Sequence, residues 1–163
     1  MRIIKVDPTK PPVIKEITAF CYGPSGAGKS FYAATWPRPV VLSIGIEGGH
    51  ETIESMAADD FYEPDHPPEI RVIESIEDMV SQVKELSTRS RSEVQTVVID
   101  SVSVYQDMYI DWLKTNFQAQ VQANKYFVWD KTLEHLQHLL HQIHSLGLNV
   151  VWCCHDDGDS KPL

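Results

Sequence analysis

The chain has 163 residues, 42% of them hydrophobic, and a formal charge of −9 at pH 7. That length supports one domain around a single core, residues 1–163, and the charge disfavours a broad nonspecific grip on nucleic acid, although Arg89 and Arg91, and Lys114, Lys125 and Lys131, leave local basic patches. No apolar run approaches the roughly twenty residues that span a bilayer, and the N-terminus leads into Asp7 and Pro8 rather than a signal-peptide core, so a cytoplasmic protein with no membrane segment is expected.

Residues 1–15 read as an N-terminal extension or an edge strand. Residues 16–22 form a short β-rich run, the first core strand, and deliver the chain into Gly23-Pro24-Ser25-Gly26-Ala27-Gly28-Lys29-Ser30. This segment fits GxxxxGK[ST] at every fixed position, with a strand before it and a helical pattern after it. The glycines let consecutive backbone N–H groups turn inward toward a phosphate, and the dipole of the helix starting near Gly28 favours the same anion. Lys29 is placed to reach β and γ phosphates, and Ser30 to ligate a bridging Mg²⁺. Pro37 and Pro39 keep the helix short.

Residues 39–46 are nearly all apolar, as expected of a parallel strand buried on both faces, and end at Glu47-Gly48-Gly49. One or two helical turns over 51–58, an exposed loop over 59–68 rich in Asp, Glu and Pro, and a short strand over 70–73 follow. Ser75, three residues before Asp78, predicts a helix N-cap, and Ile76, Met79, Val80, Val83 and Leu86 continue at helical spacing. Thr96-Val-Val-Ile-Asp100 is then an apolar strand ending in a carboxylate. Parallel α/β sheets bind ligands at such strand ends, and Asp100 there can hold Mg²⁺ directly or through water.

Residues 108–113 read as helical, whereas 118–124 are polar and read as a mobile loop or an extended helix. Leu133, Leu136, Leu139, Leu140, Ile143 and Leu146 form a helical stripe, with Asp130 as the expected N-cap and Gly147 as the stop. His135, His138, His141 and His144 share this helix, but steps of three make a polar flank rather than a metal cage. A last buried strand over 148–154 ends at His155. Cys21, Cys153 and Cys154 lie within strand-like runs with no CxxC spacing, and read as reduced core thiols. The alternation of strands and helices predicts a three-layer α/β fold of the P-loop NTPase type with a mainly parallel sheet.

Hydrolysis needs a water aimed at the γ phosphate, commonly by a carboxylate. Asp100 is followed by Ser101, not Glu, so Glu47 at the end of the second strand is the candidate. His155 ends the last strand on the same sheet edge and is the candidate to sense the γ phosphate.

Together, the GPSGAGKS loop, the strand ending in Glu47-Gly48-Gly49, the VVIDSVS element from 97 to 103 and the strand ending in His155 resemble RecA-core ATPases. More narrowly, the chain is similar to phage-encoded AAA-type nucleotide-binding proteins related to single-strand annealing recombinases. The resemblance spans about residues 16 to 157. It implies binding and hydrolysis of ATP with Mg²⁺, with Glu47 as hydrolysis carboxylate and His155 as the polar strand end. It also implies a homo-oligomer that handles single-stranded DNA in phage recombination. RecA-like cores normally continue past the fourth strand, so the chain reads as C-terminally truncated, with the edge beside residues 16–22 open unless residues 2–6 cover it. Two alternatives remain at this stage: a small-molecule or nucleotide kinase, which would want an Arg-rich lid, and a nucleotide-binding switch without turnover.

Overall fold

Unbroken apolar strands and amphipathic helices build the molecule around one sheet. The computed structural model describes residues 16–45, 49–56 and 67–155. Five strands, β1 (Thr18–Gly23), β2 (Pro39–Ile44), β3 (Glu69–Ile73), β4 (Thr96–Asp100) and β5 (Asn149–His155), pair in the order β1-β5-β4-β2-β3, every pairing parallel. Parallel neighbours require crossovers, and these are supplied by α1 (Lys29–Ala34), α2 (Gly49–Met56), α3 (Ile76–Leu86), and the series α4 (Val102–Asn116), α5 (Gln118–Ala123) and α6 (Phe127–Ser145).

The three central strands are buried on both faces, which is why they read as unbroken apolar runs. Side chains alternate between two cores. Val40, Leu42 and Ile44, Val97 and Ile99, and Val150 and Trp152 pack with Met79, Tyr105, Leu113 and Ile143 of α3, α4 and α6. Val41, Val98, Val151 and Cys153 face Ala33, Ala34 and Ile53 of α1 and α2. The result is the three-layer α/β fold expected from the sequence, with all described carboxyl strand ends on one edge. Among the described residues, no helix is long and apolar enough to cross a membrane.

Several boundaries differ from expectation. The 102–116 helix is longer than its 108–113 pattern, because Ser101 caps it directly after β4. Residues 118–123 are helical although none of them is buried. α6 starts at Phe127, so Asp130 is not its N-cap; Asn124 Oδ1 accepts from Tyr126 N and Val128 is buried, which pulls the helix start forward by a turn. Its buried face is Val128, Thr132, Leu139 and Ile143, while Leu133 and Leu140 point outward. His135 is also not on a polar flank. Its ring stacks on Tyr109 at 3.9 Å and its Nε2 meets the hydroxyl of fully buried Tyr105 at 2.7 Å. Gly147, with φ 65, ends the region as predicted, since a β-carbon is disfavoured there. Residues 2–6, the expected cover of the β1 edge, lie outside the described residues.

Candidate nucleotide-binding site

Gly23 closes β1 and its carbonyl turns back toward the loop that follows. A β-carbon on it would stand 3.4 Å from Ala27 Cβ, so the loop closes tightly on the strand end. Gly26 and Gly28 have φ 77 and 82, with nothing within 4 Å of an added β-carbon; they are required for backbone conformation, not for space. Pro24, Ser25 and Ala27 are exposed, so the loop's backbone faces outward at the carboxyl edge of the sheet.

Lys29 is the first residue of α1 and only 9% exposed. Its Nζ donates to Gly23 O at 2.9 Å and Pro24 O at 2.8 Å, so the ammonium spans the loop from inside. Next to it, Ser30 Oγ donates to Asp100 Oδ2 at 2.5 Å. One hydrogen bond thus joins the phosphate-loop helix to the end of β4, 70 residues on. Asp100 is 8% exposed and the register partner of both Cys153 and Ser43.

Ser43 was not foreseen. Its hydroxyl is buried beside Asp100 with no hydrogen-bond partner among the described residues. A lone serine in an otherwise apolar strand was the available signal. The orphaned Ser43 hydroxyl, the Asp100 carboxylate beside it and the Ser30 hydroxyl reaching in from α1 form an all-oxygen donor set of the kind a hard, hydrated divalent cation takes, so Mg²⁺ fits this site.

The thiols behave as core groups. Cys21 and Cys153 are register partners on adjacent strands. Burial pushes the Cys153 thiol far up, with the nearby Asp100 charge adding to it, and burial likewise raises Cys21 and Cys154. They stay neutral beside the loop and add no charge against an incoming phosphate.

His155 is where the sequence placed it. It pairs in register with Gly23, and since β5 lies between β1 and β4, it stands on the strand that separates the loop from Asp100. Glu47 lies outside the described residues. Two arginines are engaged within the chain: Arg71 with Glu69, Gln82 and Glu85, and Arg89 with Glu69 and Glu93. Arg91 lies 3.6 Å from Glu16.

A solved structure described as the crystal structure of the RadB recombinase is similar at 15% identity and a TM-score of 0.49, over 90% of this chain. The chain spans 65% of that protein's length. Curated protein sequences give no match. The profile of a family described as AAA domain matches residues 15–161, the segment that carries the phosphate loop, Asp100 and all five strands. The chain belongs to this AAA domain family of nucleotide-binding P-loop proteins.

Proposed function

We propose that the chain is a Mg²⁺-dependent ATPase whose turnover is coupled to single-stranded DNA. The observation that carries the nucleotide half is the Ser30–Asp100 contact beside the buried Lys29 ammonium. It supports a division of labour in which loop N–H groups and Lys29 hold phosphate while Ser30 and Asp100 hold the cation. When bound, Mg²⁺ would supply neutralisation of the phosphate charge. Glu47 is assigned to orient the attacking water from its place in the sequence after the second strand, and His155 to contact the γ phosphate from its position at the end of β5.

Support for the DNA half comes from the α5–α6 surface. Tyr126 and Trp129 are each 59% exposed, and Lys125 Nζ lies 4.8 Å from the Tyr126 ring centroid. Exposed aromatic faces beside a cation suit base stacking, a sequence-tolerant way to bind single strands. Lys131 is held by Glu134 at 2.6 Å, so stacking rather than charge would dominate, in keeping with the acidic composition. Phe20 and Tyr22, strongly exposed on β1, the edge strand among the described residues, support self-association. The phage setting and an annealing partner rest on the sequence resemblance.

Phosphate release from ATP and Mg²⁺, with and without single-stranded DNA, tests the reading on wild type, Glu47→Gln and Lys29→Ala. DNA stimulation abolished by both substitutions is the expected result. Binding without turnover under every condition would replace the ATPase with a nucleotide-dependent switch.

A further inference from the structure

Along β5, backbone N–H groups point alternately to the two neighbouring strands. Asn149 N donates to Gln95 O on the β4 side and Val150 N to Ile17 O on the β1 side. By this alternation the N–H of residue 155 points to the β4 side. Among the described residues, β4 no longer runs there to receive it. The register pairs Asp100 with Cys153, so β5 runs two residues past the end of β4. The carbonyl next in the ladder, that of Ser101, already accepts from Tyr105 N at 3.1 Å as the first bond of α4. His155 N donates instead to Ser103 Oγ, at 3.0 Å, from the first turn of that helix.

We infer that Ser103 is a positioning residue for nucleotide discrimination: its hydroxyl stands in for the missing β4 carbonyl and holds the overhanging end of β5, and with it His155, between the phosphate loop and Asp100. This inference rests on the ATPase reading above, in which His155 contacts the γ phosphate. The hydroxyl is specific to the task, since Ala would leave the 155 N–H without this partner and Thr would keep it.

The test is the ratio of affinities for a non-hydrolysable ATP analogue and ADP, with Mg²⁺, in wild type, Ser103→Ala, Ser103→Thr, His155→Ala and the Ser103→Ala/His155→Ala double variant. Amide hydrogen exchange at residue 155 is followed in the wild type and the Ser103 variants. Ser103→Ala is expected to speed exchange at 155 and to lower the ratio by about fivefold, the worth of one intramolecular hydrogen bond. Ser103→Thr restores both. In the double variant the ratio falls no further than in His155→Ala alone, because both changes remove one function. A Ser103→Ala ratio equal to wild type, or effects that multiply in the double variant, would overturn the positioning role while leaving the ATPase reading standing. A wild-type ratio of one would overturn the γ-phosphate contact of His155 and the positioning role with it, while phosphate release decides the ATPase reading separately.

Discussion

Removing the Lys29 ammonium gives the most direct measure of what the loop does. Its two bonds to Gly23 O and Pro24 O are made to neutral acceptors. Exchanging these carbonyls for phosphate oxygens conserves the number of hydrogen bonds, so the gain on binding is the difference between an anionic and a neutral acceptor. A unit charge pair about 4 Å apart at an effective dielectric near 20 is worth about 4 kcal/mol. The loop backbone is exposed at the sheet edge, and solvent with salt removes about half of that. About 2 kcal/mol remains, or roughly thirtyfold in Kd. Titration of a fluorescent ATP analogue in 0.15 M salt should show Lys29→Ala weakened by about that factor. The fold itself should survive, at a cost of about 1 kcal/mol for the two carbonyls left without the donor. An affinity within threefold of wild type, with the melting transition intact, would refute the assignment of Lys29 to phosphate.

Asp100→Asn is expected to erase the dependence of nucleotide affinity on Mg²⁺ while leaving metal-free binding within about threefold, checked by the same titration with and without EDTA. Tyr105→Phe removes the hydroxyl bonded to His135 Nε2 but keeps the buried ring, and should cost about 1–2 kcal/mol in urea unfolding. Burial, with a smaller contribution from the His138 charge, lowers the His135 pKa. The unfolded imidazole therefore protonates first as pH falls below about 6.5, and stability declines through that range; above it the ring is neutral in both states. His135→Gln should flatten this acid limb of the stability curve, and an unchanged slope would show that the ring does not titrate as its packing requires.

The parts of the molecule legible in the sequence are those whose cause is local. Gly26 and Gly28 must be glycines because of their own φ angles, and Val97, Val98 and Ile99 must be apolar because both faces of β4 are covered. The Ser75 N-cap was readable because capping is settled within three residues. What could not be read depended on partners distant in sequence. His135 follows the same three-residue spacing as His138, and only the approach of α4, bringing Tyr105 and Tyr109, turns one into a core group. Leu133 and Leu140 fit the helical stripe as well as Leu139 does, yet α6 packs against α4 along a face that excludes them.

Strand order is the most consequential of these distant effects. Phosphate loop and carboxylate strand could have been adjacent, about 5 Å apart; with β5 between them they are about 10 Å apart. That separation is bridged by Ser30, which reaches Asp100 from α1, and it sets apart the Lys29 end of the site, proposed for phosphate, from the Asp100 end, proposed for the cation. It also makes the end of β5 the floor of that edge, so that a residue with no motif around it, His155, gains a place next to Gly23. Ser103 gains its task from the same cause, since only a strand that outruns its neighbour needs a helix side chain to complete its ladder.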